Sequence, residues 1–353
     1  MSLGPRRGNH SASPGARRQI VAVAAAGITV AIALVVGGIA GAFVFFGPGP
    51  AARQGATTTV LLRPGAGIEE IGAELTRAGV IGSPPLFVLG AELSGSRRMK
   101  AGEYAFASRA SMAQVIALIA SGKVVRHFIT IPEGVTAEFV AQALAKADYL
   151  TGDAPTPVEG SVLPETYEAR RGDDRAAVLK RMMDARDKLL AQLWVHRRAG
   201  LPFQTPEQAV ILASVVERET GRAEDRPRIA AVFVNRLKAG MPLQSDPTVI
   251  YGLTGGAPLG RVVTYADLAS DTPYNTYKVR GLPPTPISNP GRAAIAAVLD
   301  PPDTHELYFV ANGTDGGSKF AASLADHASN VGHYRQVEAC QAAAKKAGTP
   351  AEC

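Results

Sequence analysis

Between Ile20 and Phe46 the chain runs for 27 residues without a charge, IVAVAAAGITVAIALVVGGIAGAFVFF. No other feature restricts its folding as strongly. About 20 apolar residues cross the hydrocarbon of a bilayer as a helix, so this run can span with some tilt. A buried core helix has no need of so long an uncharged stretch, and the apolar region of a cleaved signal peptide covers only about 7–15 residues. The expectation is an uncleaved transmembrane helix at 20–46. Arg6, Arg7, Arg17 and Arg18 precede it and no basic residue follows immediately. That asymmetry places the basic tail, 1–19, in the cytoplasm and everything from 47 onward outside the membrane, as in a single-pass cell-membrane protein.

The same arginines account for most of the charge. The net charge is +6, and without those four the remainder carries only +2. A nucleic-acid surface needs a basic stripe on the folded part, and that excess is missing. With 46% hydrophobic and 19% charged residues, wholesale disorder is excluded as well. The six histidines form neither HExxH nor a close pair, so neither a metal nor a cofactor is expected. GxSxG, SxxK and KTG are absent, which removes the usual serine-hydrolase and penicillin-binding signatures. Cys340 and Cys353 lie in the C-terminal tail, 339–353. A disulfide between them would staple that tail and nothing else, and free thiols fit the sequence equally well.

After a Gly/Pro-rich linker, 47–57, the pattern is α+β. Thr58–Leu62 and Gly102–Phe106 read as strands. Ile68–Ala78, a segment opened by Ser83-Pro84-Pro85, and Met112–Ala120 capped by Ser111 read as helices. Val124–Ile131 is a further β run, so that 58–134 forms a small module. Beyond it the chain turns mainly helical: Thr136–Ala147, Asp174–Arg198, Glu207–Thr220, Arg226–Ala239, Pro290–Leu299 and Leu324–Lys346. Leu307–Ala311 and Ser318–Ala322 are strand candidates. The stretches 159–167 and 240–289 read as irregular.

The helix over Glu207–Thr220 is apolar or small on every side from Ala209 to Val216, with Ser214 taken as a small packing residue, and Glu217 follows directly. Burial at the end of such a helix raises a carboxyl pKa, and a raised pKa lets a glutamic acid stay protonated and act as general acid. Glu219 lies about 200° further round the helix and cannot share that site. The structural alternative is an ion pair of Glu217 with Arg218, Arg222 or Arg236. Downstream, rigid Pro- and Gly-bounded turns carry Gln244, Asp246, Tyr251, Tyr274 and Asn275. Amides, a carboxylate and tyrosine rings gathered on such loops suit a sugar, which offers hydroxyls to bond and a ring face to stack on.

ILASVVERET, FVNRL, LQSDPTVIYG, YNTY, GLPPTPISNPG and LYFVANG occur in this order, with ITIPEG and EGSVLPETY upstream. Together they resemble the successive signatures of the YceG-like (MltG) family of endolytic murein transglycosylases, over nearly everything after the apolar run. The resemblance implies a LysM-like module at 58–134 and a mainly helical α+β catalytic domain at 135–338. It also implies a catalytic acid at Glu217, a glycan groove including Gln244, Asp246, Tyr251, Tyr274 and Asn275, and cleavage within nascent peptidoglycan strands beside the synthases. The chain departs from the pattern at Ser161 and Val162, where relatives often carry an aromatic residue. Two other readings stay open: a hydrolytic muramidase, which needs a second carboxylate such as Asp246 near Glu217, and a non-enzymatic wall-binding scaffold, for which a degenerate ASxxExET would be expected.

Overall fold

The computed structural model describes residues 14–95 and 99–348. Arg6, Arg7 and Cys353 lie outside them. The chain divides into two compact units that meet in sequence at Val125 and Arg126.

The first unit opens with helix α1 (Pro14–Phe46), whose apolar stretch Val21–Phe46 is long enough to cross a bilayer. Strand β1 (Thr57–Leu62) pairs antiparallel with β2 (Gly102–Ala107), Val60 opposite Tyr104. The period-2 alternation sends Val60, Leu62, Tyr104 and Phe106 to one face. That face packs on helices α2 (Ile68–Arg77), α3 (Pro84–Leu93) and α4 (Met112–Ser121) through Leu75, Phe87, Val115 and Ile119. Helix α4 begins in a reciprocal cap between Ser111 and Gln114 and stops at Gly122, whose positive φ of 72° closes the last turn.

In the second unit β3 (His127–Thr130) pairs antiparallel with β4 (Thr166–Ala169), Ile129 opposite Tyr167. The expected irregular stretch 159–167 therefore ends in a strand. Thr166 and Tyr167 suit a pleated ladder, but the partner strand lies more than 30 residues upstream, beyond local pattern. Helices α5 (Ala137–Lys146), capped by Thr136, and α6 (Arg175–Val195), capped by Asp174, enclose the core beside this strand pair. Helix α7 (Pro206–Glu219) starts in a capping box between Thr205 and Gln208. All its residues from 209 to 216 except Ile211 are buried. It packs on α6, α8 (Arg226–Lys238), α9 (Asp246–Thr254) and α11 (Arg292–Leu299). Helix α9 and the short α10 (Tyr265–Leu268) fall where only loops were expected. Pro247, which reads as a turn, sits in the first turn of α9, where its missing N–H is not needed. Strands β5 (Tyr308–Ala311) and β6 (Ser318–Ala321) form a hairpin, against which α12 (Leu324–Ala347) packs. Cys340, on α12, is disulfide-bonded.

Candidate active site

Glu217 lies in the last turn of α7, its side chain only 5% exposed. Its Oε2 accepts the Gly291 N–H at 2.9 Å, and its Oε1 pairs with Arg226 Nη2 at 3.3 Å. Gly291 is the N-cap of α11, and Arg226 opens α8. Glu133, from the ITIPEG turn, reaches the same point: a Cβ at Gly291 would overlap its carboxylate. Burial pushes the Glu217 carboxyl upward, the Gly291 N–H and Arg226 pull it back, and the Glu133 charge raises it again. The net displacement is upward, as its place in the helix led one to expect. The ion-pair partner differs from the three arginines considered. Arg218 donates instead to Gly134 O, Arg222 to Asp315 O, and Arg236 faces another cluster. Arg226 comes back to Glu217 because the chain reverses between α7 and α8, which helical spacing alone does not reveal.

The turns that deliver Glu133 and Gly291 are fastened by one buried amide. Asn289 Oδ1 accepts from Val162 N at 3.0 Å, and its Nδ2 donates to Val135 O at 3.0 Å and Glu159 Oε1 at 3.3 Å. Its main chain exchanges hydrogen bonds with Gly134 and Val135. Glu159 also accepts from Ala137 N at 2.9 Å and from the Tyr251 hydroxyl at 3.3 Å. Burial raises its carboxyl, with these donors opposing. Ser161 and Val162 are buried beneath this clasp. Ser214 does more than pack: its Oγ accepts from Ile287 N at 2.9 Å and donates to Ile211 O at 2.7 Å. It thereby ties the GLPPTPIS loop to α7. A lone hydroxyl on an otherwise apolar helix was the available signal.

The five loop residues fall into three places. Tyr251 and Tyr274 meet edge to face at 4.9 Å, and Tyr274 bonds Thr285 Oγ1 at 2.8 Å. Burial, chiefly, pushes the Tyr251 hydroxyl up to about 12. Gln244 and Asp246 are exposed and belong to a second cluster. Gln244 adopts a left-handed φ of 54°, held by its N–H to Thr276 O at 3.0 Å and its side chain to Arg236 at 3.3 Å. Asp246 accepts from the Tyr277 hydroxyl at 2.7 Å. Asn275 lies inside the loop rather than on a groove surface. It is fully buried, donates to Leu268 O and Ser270 O at 3.0 and 2.7 Å, and accepts from Tyr277 N at 3.1 Å. Asn275→Ala should therefore cost about 1–3 kcal/mol of stability for the unsatisfied carbonyls and N–H, seen as a lower melting temperature; an unchanged melt would show that these bonds do not hold the loop. Among the described residues, the hydrogen bonds and ion pair of Glu217 go to Gly291 and Arg226 and to none of these five. No group of three or more His, Cys, Asp or Glu among the described residues is placed to hold a metal ion.

Glu219 joins the second cluster, accepting from Ser245 Oγ at 2.5 Å. Burial, chiefly, and the Asp246 charge push its carboxyl up to about 7, against Ser245 and Arg236. A folded-state pKa raised above the usual 4.5 means that the folded chain holds this proton more tightly. The associated stability is complete below about 4.5 and is lost as pH rises through about 7. Glu219→Gln, which never ionises, should flatten that decline and leave the variant more stable than the parent at pH 8, on the order of 2–3 kcal/mol. Urea unfolding at pH 5 and pH 8 tests this, and identical pH dependence in both proteins would refute it.

Residues 60–333 match the model of the YceG-like family. An endolytic murein transglycosylase of Bacillus subtilis is 30% identical over 303 residues, covering 77% of this chain and 83% of that protein. Endolytic murein transglycosylases of two Streptococcus pneumoniae strains are 29% identical over 324 residues, covering 78% of this chain. The chain matches 58% of the streptococcal proteins' length. A crystal structure of a yceG-like protein from Listeria monocytogenes is 28% identical and covers 78% of this chain and 99% of its own, with a TM-score of 0.49. On the breadth of the family match and the identity with the Bacillus protein, this chain belongs to the YceG-like family.

Proposed function

We propose that this protein is a membrane-anchored endolytic murein transglycosylase. It cleaves the bond between N-acetylmuramic acid and N-acetylglucosamine within nascent peptidoglycan strands, leaves 1,6-anhydro ends and so terminates glycan elongation. The observation that carries the reading is the Glu217 carboxyl, sunk at the end of an apolar helix with its pKa raised yet facing a backbone N–H. Protonated, Glu217 gives its proton to the glycosidic oxygen. As carboxylate, it then takes the proton of the muramic C6 hydroxyl, which attacks C1 of the same sugar. An internal nucleophile already in place makes a second carboxylate unnecessary. Gln244, Asp246, Tyr251 and Tyr274 orient the sugars, and Asp246 opposes the positive charge developing at C1.

In this reading α1 is a single-pass anchor with its N-terminus in the cytoplasm, 58–134 is a LysM-like module, and 135–338 is the catalytic domain. The synthases that extrude new strands are its neighbours. A linker of about 11 residues has an r.m.s. reach of only ~20 Å, which keeps the enzyme near emerging glycan.

One observation favours a second reading. Glu133 beside Glu217 supplies a second carboxylate of the kind a hydrolase uses to activate water. Mass spectrometry of products from purified glycan strands separates the two, because an anhydro end is lighter than a reducing end by one water. Anhydro products support the transglycosylase, reducing ends the muramidase, and no cleavage the scaffold.

A further inference from the structure

The end of α1 is not free of the module that follows it. Phe45 packs on α3 at Gly90, where a Cβ would overlap the Phe45 ring, and α1 also contacts α4. Between α1 and α3 runs a groove of about 440 Å³, with Phe45 and Phe46 on one wall and Leu86, Leu89 and Leu93 on the other. No charged side chain lines it. Its rim is open: Phe46 is 71% exposed, Leu89 49% and Leu93 80%. Helix α3 thus sets Phe87 and Ala91 in the module core, keeps Leu86 half-buried against it, and turns Leu89 and Leu93 outward. Apart from the exposed Glu92, whose carboxylate can reach the headgroups, α3 is apolar all round, as suits a core or a lipid boundary.

Length fixes the depth of this face. The 26 residues Val21–Phe46 extend ~39 Å at about 1.5 Å per residue, against about 30 Å of hydrocarbon. With Arg18 at the headgroups on the N-terminal side, a tilt that absorbs the excess of about 9 Å brings the last turns of α1 to the opposite lipid–water boundary, with the rings of Phe45 and Phe46 on its apolar side. The groove is continuous with the α1 surface that meets acyl chains, and it carries no charge to keep it in water.

We propose that the outward face of α3, Leu86, Leu89 and Leu93, docks into the lipid at the acyl–headgroup boundary, so that α1 and α3 together form the membrane foot of the module. This rests on the reading of α1 as a membrane span. The test uses the full chain in phosphatidylglycerol–phosphatidylethanolamine vesicles, in a Trp194→Phe background that leaves one introduced indole as reporter. Leu93→Trp and Leu89→Trp probe the foot, Val35→Trp probes the span, and Tyr265→Trp, at a site 92% exposed in the second unit, is the aqueous control. With lipids brominated along their acyl chains, the two foot positions should be quenched at least half as strongly as Val35→Trp, and Tyr265→Trp hardly at all. Foot positions quenched no more than Tyr265→Trp, with Val35→Trp quenched, would overturn the docking and leave the anchor standing. A blue shift at the foot without quenching would assign the face to a second copy of the chain and overturn it equally. An unquenched Val35→Trp would remove the anchor and the docking with it.

Discussion

Glu217→Gln should reduce strand cleavage at least ~100-fold while leaving the melting temperature close to that of the parent. Glutamine has the same shape, and its amide oxygen can still accept the Gly291 N–H that Glu217 receives at 2.9 Å. It cannot give or take a proton. The pH dependence of the parent should carry the same signature. Burial is the largest influence on the Glu217 carboxyl and raises it. Activity that depends on the protonated form should therefore decline on the alkaline side at a pH above that of an ordinary glutamate. Near-normal turnover by a folded Glu217→Gln protein would remove Glu217 from the chemistry, whichever product the parent makes.

Arg236→Ala should give the largest loss of stability, about 3–5 kcal/mol at about 1–3 kcal/mol for each buried acceptor left unsatisfied, or a melting temperature lower by roughly 10 °C. Arg236 sits near the C-terminal end of α8 and is 7% exposed. Its Nε donates to Leu307 O at 2.7 Å, and its Nη1 donates to Leu243 O at 2.7 Å and Gln244 Oε1 at 3.3 Å. One guanidinium thus fastens α8, the start of the β5 hairpin and the loop that presents Gln244. Alanine leaves those buried carbonyls without donors. Lysine should not restore the loss, because a single ammonium cannot span the same fork of acceptors. Calorimetry decides the matter, and a drop smaller than ~3 °C would show that the clasp contributes little.

Arg236 also illustrates what the sequence could and could not disclose. It was visible only as one of three possible partners for Glu217. Its actual acceptors are mostly backbone carbonyls, and no side-chain pattern announces those. What local chemistry controls was legible: the apolar run before Glu217, the Ser111 cap, and the spacing that separates Glu219 from Glu217. What depends on distant partners was not. Strand β4 needed β3, Arg226 needed the reversal between α7 and α8, and Asn289 joins residues 127 and 154 positions away. Asn275 misled for a related reason. An amide among tyrosines looks the same in sequence whether it faces a sugar or the carbonyls of its own loop, and only its full burial separates the two.

The meeting of Gly291, Glu133 and Glu217 has a consequence for how the site tolerates change. In the proposed reaction one group must release a proton and then recover another, and such a group works best when neither of its charge states lies far below the other. Burial and Glu133 favour the neutral state of Glu217, while Arg226 and the Gly291 N–H favour the anion. The larger part of the anion's support comes from main chain, which substitution cannot delete except by proline. Adding even a methyl group at that position would drive out Glu133, so the balance would be disturbed from the opposite side. The equilibrium of the acid is therefore locked to a residue with no side chain, and drift at position 291 is restrained by electrostatics as much as by space.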